Sequence, residues 1–380
     1  MIVPFNRPHL TGNEFKYIQD ATERGALAGR GYYTQKCTEW LENSLSIKKV
    51  FLTHSCTAAL EICALLLDLA PGDEIIMPSF TFVSSANAFA LRGAVPVFVD
   101  ICNDTLNIDP SLIEEAITPK TRAVLAVHYA GVACDMITMK ALCKKYNLIL
   151  IEDAAQAILS KDENSRYLGS IGDLAAFSFH ETKNIISGEG GALLINNESF
   201  QDRAAILLEK GTDRIRFQEG LTSKYTWQDL GSSFIPGEII AAFLFAQLES
   251  AQELTSIRTK LWNNYYSNLQ LSSPVKSDQI SLPSLASFNC THNSHIFHLR
   301  TQDSLSRDQL LLRLKDKGIQ AVFHYIPLHS SPAGKRFGRF YGNLPVTDAV
   351  SSTLLRLPMW IGVNQGRVLE IVNETLDELY

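Results

Sequence analysis

Short apolar runs alternate with helical patterns between residues 50 and 200. The apolar runs predict strands at KVFLTHS, DEIIMPS, PVFVDI, RAVLAVHYA, LILIEDAA, DLAAFSFH and GALLINN. Helical spacing lies between several of them, in TAALEICALLLDL, TFVSSANAFALRG, PSLIEEAI and DMITMKALCKKYN. Alternation of this kind is typical of a parallel α/β sheet, and unbroken apolar runs such as LILI suit strands that are buried on both faces. The pattern therefore predicts an α/β fold with a large, mostly parallel sheet and helices on both of its faces.

The pattern changes near residue 237, where a long helical stretch without proline begins. Apolar residues at helical spacing predict one continuous helix over residues 238–269, long enough to bridge two domains. The remaining residues mix a short strand, HIFHLR, with a helix, a loop-rich region and a final amphipathic helix. We therefore expect a large domain over residues 1–240, and a bridging helix with a smaller C-terminal α+β domain over residues 241–380.

The amino-acid composition and net charge argue against several classes of function. The 380 residues carry a net charge of −6, with 46% hydrophobic and 19% charged residues. A nucleic-acid-binding protein would need a basic face, so we expect no nucleic-acid partner. The N-terminal segment lacks a signal-peptide pattern, and the apolar stretch AALEICALLLDLA is too short to span a bilayer. Seven cysteines without a C-x-x-C pair are typical of reduced thiols, so we expect a cytoplasmic protein with no membrane partner and no metal.

Three segments at predicted strand ends could carry chemistry, since ligands of open α/β sheets bind at the carboxyl ends of the strands. The first is HSCTAAL, where a strand turns into a helix. Backbone amides at a helix start bind anions, and here Cys56 and Thr57 would supply them, with the Thr57 hydroxyl in addition. The alternative interpretation is an ordinary helix N-cap that binds nothing.

The second segment is the carboxylate end of LILIEDAAQ. An ionised Asp153 could keep a pyridinium nitrogen protonated, because a nearby opposite charge favours the charged form. Gln156, three residues later, could reach a phenolic oxygen on the same ring. A solvent-facing loop aspartate is the simpler alternative.

The third segment is FSFHETKN, followed by the glycine-rich GEGG. Burial of Lys183 after an apolar strand would lower its pKa and make the amine a nucleophile and a proton shuttle. Ser178 on the same strand could add a hydroxyl to a phosphate site. Phe82 could stack on a pyridine ring. A surface lysine and a core phenylalanine are the alternatives.

At these residues the chain closely resembles the sugar-nucleotide aminotransferases, a family of fold type I enzymes that use pyridoxal 5′-phosphate (PLP). The resemblance runs along nearly the whole length, through PSFTFVSSANA, GAVPVFVDI, TLNID, HYAG, IEDAAQ, SFHETKN, GEGG and FHYIPLH. Three segments, HYAGVACDM, KYTWQDLGSS and FHYIPLH, look like the subgroup that makes dTDP-4-amino-4,6-dideoxygalactose for enterobacterial common antigen.

The resemblance implies Lys183 as the residue that holds PLP covalently and Asp153 as its catalytic partner on the pyridine nitrogen. It also implies Gln156 at the phenolic oxygen, Phe82 stacked on the ring, and Cys56, Thr57 and Ser178 at the phosphate. The implied substrates are L-glutamate as amino donor and a nucleotide-linked 4-keto-6-deoxyhexose as acceptor. Members are homodimers with shared active sites.

Two positions depart from the family pattern. Cys56 stands where many members have a small residue such as glycine. Ser233 and Ile235, in GSSFIPGE, stand where many members have an asparagine and an arginine, and the asparagine reaches the phosphate of the other subunit. The resemblance therefore implies a substitute contact from Ser233.

FHYIPLH predicts a sugar pocket lined by His324, Tyr325 and His329, although such a cluster could equally be a packing feature. Three other functions stay open. The acceptor could be another nucleotide keto-sugar. A PLP-dependent sugar dehydratase would carry a histidine in place of Lys183. A non-catalytic PLP sensor would have kept the scaffold without turnover.

Overall fold

Residues 2–284 and 290–380 are described by a computed structural model of the chain. In chain order, the strands are β1 (Lys49–Thr53), β2 (Glu74–Pro78), β3 (Val95–Val99), β4 (Thr121–Val127), β5 (Ile149–Asp153), β6 (Leu174–Ser178), β7 (Gly191–Ile195), β8 (Ile280–Ser281), β9 (His298–Thr301), β10 (Val322–Phe323), β11 (Arg339–Phe340) and β12 (Leu354–Arg356).

The α-helices follow the same numbering. They are α1 (Glu14–Glu23), α2 (Tyr32–Leu45), α3 (Cys56–Leu66), α4 (Val83–Ala90), α5 (Ile113–Ala116), α6 (Met136–Tyr146), α7 (Gln201–Leu208), α8 (Arg214–Gln218), α9 (Glu238–Glu249), α10 (Ala251–Leu269), α11 (Ser273–Lys276), α12 (Ser304–Asp316), α13 (Pro332–Phe337), α14 (Pro345–Thr353) and α15 (Gln365–Leu379). None of these helices is long and apolar enough to cross a membrane, as far as the described residues extend.

The large sheet has the strand order β1-β7-β6-β5-β4-β2-β3-β11. Strand β7 runs antiparallel to both β1 and β6, and the other neighbouring strands pair in parallel. The predicted large, mostly parallel sheet is therefore confirmed.

Helices cover both faces of this sheet because its strands are apolar at successive positions. Ile75 packs into one hydrophobic core and its neighbour Ile76 into the other. Leu193 and Leu194 of β7 divide in the same way. Successive side chains of a strand point to opposite faces, so an unbroken apolar run fills two layers at once.

The single helix predicted over residues 238–269 is wrong, since α9 and α10 are separated at Ser250. Its backbone (φ −99°, ψ 6°) leaves the helical region. Leu248 of α9 and Leu254 of α10 both pack into a core of the large sheet. Further along α10, Trp262 and Tyr265 pack into the C-terminal core.

The C-terminal part forms a smaller antiparallel sheet, ordered β10-β12-β9-β8. Helices α10, α12 and α15 pack around the core of this part. Strand β11 instead returns to the large sheet and pairs in parallel with β3. The C-terminal residues thus contribute to both sheets, and the cavity described next lies between the two.

Candidate active site

A cavity of about 890 Å³ opens at the carboxyl ends of β4, β5 and β6. Its lining on the large-sheet side comes from these strand ends and from the first residues of α3 and α4. On the other side it is lined by residues 322–326 and by the end of β12. We call this space the strand-end cavity. Its position agrees with the general location of ligand sites in open α/β sheets.

Backbone amides without an acceptor in the helix lie where α3 begins. Ser55 caps the helix by accepting a hydrogen bond from the Ala58 amide at 3.1 Å. Cys56 and Thr57 follow as the first two helical residues, whose amides have no acceptor within the helix. Ser178, at the end of β6, lines the same part of the cavity. Of the four predicted phosphate ligands, the fold brings Cys56, Thr57 and Ser178 together, and Ser233 is the exception.

Asp153 ends β5 with its carboxylate held in place and only 6% of the residue exposed. One oxygen accepts a hydrogen bond from the Ser85 hydroxyl at 2.7 Å, and the other accepts from the Ala155 amide at 3.2 Å. The Ser85 hydroxyl is itself 2.8 Å from that of Thr81. These bonds fix the direction of an acidic group that faces the cavity.

Behind Asp153 lies the Glu152 network, which consists of Glu152, His128 and the backbone amides of residues 169–172. Glu152 is fully buried, and its carboxylate accepts from His128 Nε2 at 2.9 Å and from the amides of Gly169, Ile171 and Gly172 at 2.6–2.7 Å. Burial acts to raise the pKa of Glu152, but the bonds from His128 and the amides outweigh it and hold the pKa below its usual value.

Lys183 lies in a turn after β6, where its amide donates to the His180 carbonyl at 2.9 Å. Its half-buried side chain lines the cavity, and within the described residues no hydrogen bond or ion pair occupies its amine. Burial lowers the pKa of this amine below its ordinary value, although Cys56 and Asp153 act in the opposite direction. A lowered pKa favours the neutral, nucleophilic amine.

Gln156 joins the two sides of the cavity. Its side-chain oxygen accepts from the Ala130 amide at 2.7 Å, and its amide group donates to the Tyr325 hydroxyl at 3.0 Å. His324, beside Tyr325, lies 3.1 Å from the Tyr129 hydroxyl. Two of the three residues of the predicted sugar pocket, His324 and Tyr325, therefore line the cavity.

Phe82 precedes α4 and lines the cavity with 57% of the residue exposed. Phe80, two residues earlier, is 1% exposed and packs against Tyr129 and Tyr325. Phe80 is thus the phenylalanine that packs in the core, whereas Phe82 has a ring face available to a ligand.

Two of the predicted residues lie elsewhere. Ser233 is exposed and outside the cavity lining of its own chain. His329 also lies outside the lining, where its Nδ1 is 2.8 Å from the Ser79 hydroxyl and its Nε2 is 3.3 Å from Asp348.

Two arginines in the cavity lining are absent from the sequence-based prediction. Arg258 comes from α10, and Arg356 ends β12. The available signal was the segment TLLRLPMW, in which a single arginine interrupts an apolar run. Leu355 and Leu357 pack into the C-terminal core, so Arg356 between them projects to the other face of the strand.

Comparison with known proteins agrees with this geometry. Residues 8–375 match the model of the DegT/DnrJ/EryC1/StrS aminotransferase family. GDP-perosamine synthase of Escherichia coli O157:H7 is 30% identical over 380 residues, covering 100% of this chain and 98% of the relative.

Two solved structures share the fold over 100% of both chains. The aminotransferase TlmJ from Streptoalloteichus hindustanus has a TM-score of 0.90 and 28% identity. The PLP form of Spr1654 from Streptococcus pneumoniae has a TM-score of 0.89 and 26% identity. The expected fold type I architecture and the PLP cofactor are thereby confirmed.

Proposed function

We propose that this chain, which belongs to the DegT/DnrJ/EryC1/StrS aminotransferase family, transfers an amino group from L-glutamate to a nucleotide-linked 4-keto-6-deoxyhexose. The enzyme is a PLP-dependent sugar aminotransferase. The observation that carries the proposal is the free amine of Lys183, which shares one cavity with the fixed carboxylate of Asp153 and the amides at the start of α3.

For the acceptor we propose dTDP-4-dehydro-6-deoxy-D-glucose, aminated to the galacto product for a surface polysaccharide such as enterobacterial common antigen. The support is the resemblance of HYAGVACDM, KYTWQDLGSS and FHYIPLH to that subgroup. The name of the E. coli O157:H7 relative instead gives a GDP-linked amino sugar. A GDP-linked keto-sugar is therefore the second candidate acceptor.

The residues present fit PLP. The amides of Cys56 and Thr57 and the Ser178 hydroxyl would hold its phosphate, and Asp153 would face the pyridine nitrogen. Phe82 would stack on the ring, and Gln156 would bond its phenolic oxygen. When bound, PLP supplies an electron sink for the carbanion that forms when the donor loses its α-proton.

Lys183 has two roles in this proposal. Its amine holds the cofactor until the donor displaces it, and the released amine then takes the proton from the donor α-carbon. The same amine returns a proton in the opposite direction when the keto-sugar accepts the amino group. Proton transfer by a positioned side chain contributes about 10²–10⁴-fold to a rate. Asp153 would stabilise positive charge at the ring nitrogen.

We further propose a homodimer in which Ser233 of one copy would contact the phosphate bound by the other. Its exposure and its position outside the cavity of its own chain are consistent with a contact between copies. His324 and Tyr325 would contact the sugar.

The visible absorbance of the purified, PLP-loaded protein tests this function. We expect a cofactor band that bleaches when L-glutamate is added and returns when a keto-sugar is added. Lys183→Ala should lose the band of the covalently held cofactor. A panel of dTDP-linked and GDP-linked 4-keto-6-deoxyhexoses then identifies the acceptor. A band that no amino donor changes would contradict the aminotransferase and leave a dehydratase or a sensor.

A further inference from the structure

A second and much smaller cavity, of about 20 Å³, adjoins the strand-end cavity. We call it the side cavity. Its lining includes residues 6–9, the turn that carries Lys183, and part of α10. Lys183 and Arg258 line both cavities, so these two side chains lie at the boundary between them. A water molecule needs about 10–15 Å³ of such space, so the side cavity has room for one water or one ion and not for an amino acid or a sugar.

Arg258 brings a buried positive charge to this space. The residue is 5% exposed, and one terminal nitrogen of its guanidinium donates to the His295 carbonyl at 2.7 Å. Its Nε is buried and has no hydrogen-bond partner among the described residues. Burial lowers the pKa of the guanidinium to about 10, and no carboxylate in the described part of the chain opposes that shift. By contrast, Arg339 is paired with Glu74 through two bonds of 2.8 Å. Arg258 is therefore a buried cation without an anionic partner, an arrangement that costs solvation energy.

The charges around the side cavity are mostly positive. Its lining has one acidic residue, Glu181, and three lysine or arginine residues, which are Arg7, Lys183 and Arg258. Glu181 is exposed, so water screens its charge. The pKa of His295 is lowered by burial and then by the charges of Lys183 and Arg258, so both charges act on the same region. An anion would thus be favoured over a neutral water molecule, because opposite charges attract strongly where water is scarce.

We propose that the side cavity binds one small monovalent anion, such as chloride, with the Arg258 guanidinium as its main ligand. The anion would use the donor that the protein leaves free, and it would offset the cost of the buried charge. It would also lie next to Lys183 and favour the protonated form of that amine. This inference goes beyond the proposed function, since it holds for whichever amino donor and acceptor the enzyme uses.

Bromide is a direct probe of this site, because it replaces chloride and scatters X-rays anomalously. Crystals of the PLP-loaded protein are soaked in sodium bromide, so that the cofactor already occupies the phosphate ligands of the strand-end cavity. We expect an anomalous peak in the side cavity, within hydrogen-bonding reach of Arg258, and no such peak in crystals of Arg258→Met. The same peak is expected in the cofactor-free protein, so failure of the proposed function would not hide it. A wild-type side cavity that holds only water would overturn the inference.

Thermal unfolding tests whether the anion also binds at moderate concentration in solution. A ligand that binds only the folded state raises Tm as its concentration rises. We expect the Tm of wild type to be about 2 °C higher in about 0.2 M chloride than in the same concentration of gluconate, an anion too large for the side cavity. Arg258→Met should lose this difference. Arg258→Lys should keep part of it, because lysine retains the charge but not the planar fork.

Arg300→Met is the matched control, because Arg300 on β9 also has a buried Nε without a partner but lines neither cavity. This variant should keep the full chloride effect. Equal effects in wild type and both methionine variants would assign the effect to the protein surface and overturn the inference. A bromide peak without any chloride effect would mean binding at crystal concentration only, and would also overturn it. If Arg258→Met does not fold, the wild-type bromide peak and the chloride effect in Arg258→Lys decide the question.

Discussion

The two walls of the strand-end cavity differ in how far their polar groups are already bonded. On the large-sheet wall, Glu152 accepts four hydrogen bonds and Asp153 accepts two. On the opposite wall, Nε of Arg356 and Nε of Arg258 on α10 are buried without a partner. One wall is fixed by its own hydrogen bonds, and the other keeps donors free.

This difference suggests a division of work between the walls. Both oxygens of Asp153 are hydrogen-bonded, one by the Ser85 hydroxyl and one by the Ala155 amide, so the carboxylate keeps its direction. A fixed direction suits a group that would have to meet one cofactor atom in every cycle. Unused guanidinium donors suit a ligand that enters and leaves, because its binding energy comes from bonds that the empty protein does not make. Four substitutions test the comparison, beginning with the largest expected effect.

Asp153→Asn should have the largest effect, because it removes the carboxylate charge on the large-sheet wall. In the proposed function this charge faces the cofactor. We expect kcat to fall by about 10³-fold, the upper range for loss of one oriented electrostatic group. Steady-state kinetics of the PLP-loaded enzyme would measure it. Asp162→Asn is the control, since Asp162 is a buried carboxylate paired with Arg166 outside the cavity. Turnover within tenfold of wild type in Asp153→Asn would remove the catalytic role.

Glu152→Gln should mainly reduce stability. The substituted amide would present N–H groups to backbone N–H donors, and we expect a loss of about 3 kcal/mol in the free energy of unfolding. Urea unfolding monitored by circular dichroism would measure it.

The pH dependence of that stability should change in the same variant. Because the folded pKa of Glu152 is lowered, its contribution is fully present above the unfolded pKa of about 4.3 and is lost as pH falls through the folded pKa. Between pH 5 and pH 3, wild type should therefore lose more free energy of unfolding than Glu152→Gln. The difference should be ~1.4 kcal/mol for each unit by which the folded pKa of Glu152 is lowered. Equal slopes for the two proteins would contradict an ionised Glu152.

Tyr325→Phe removes the hydrogen bond that joins the walls through Gln156. We expect kcat/KM to fall by roughly fivefold, in line with about 1 kcal/mol for one hydrogen bond. Tyr341→Phe is the matched control, because the Tyr341 hydroxyl is also hydrogen-bonded to a side chain, that of Glu115, but lies outside the cavity. Equal effects of the two substitutions would mean that the link between the walls contributes nothing specific.

Ser233→Ala should have the smallest effect. A hydroxyl contact with the phosphate of another copy is worth about 0.5–1 kcal/mol, so the dissociation constant of PLP should rise by roughly two- to fivefold. Fluorescence titration of the cofactor-free protein would measure it. Ser232→Ala, at the exposed neighbouring position, should leave the constant unchanged. The assignment fails if the two variants bind PLP alike.

The catalytic residues on the large-sheet wall were predictable from the sequence, whereas Arg356 on the opposite wall was not. Asp153 and Ser178 end apolar strands of a recognisable α/β pattern, and Lys183 follows one of them, so their position at the sheet edge follows from the topology. Arg356 reaches the cavity only because β12 pairs with β9 in the second sheet, which is a pairing between distant segments. No local pattern specifies such a pairing.

The bend at Ser250 was missed for a related reason. Helical spacing continues through this residue without glycine or proline, so local propensity favours one helix. In the folded chain the helix is nevertheless interrupted at Ser250, and both Leu248 before it and Leu254 after it pack into a core of the large sheet. Tertiary packing overrides the local preference here.

The pairing of β11 with β3 also determines when the large sheet can be completed during synthesis. The large sheet is otherwise built from residues 49–195, yet β3 stays an open edge until residues 339 and 340 arrive and pair with it. An unpaired edge strand is a template for pairing with another chain. A chain truncated before Arg339 would therefore expose an edge strand that favours aggregation, although the segments that contain Lys183 and Asp153 would be complete.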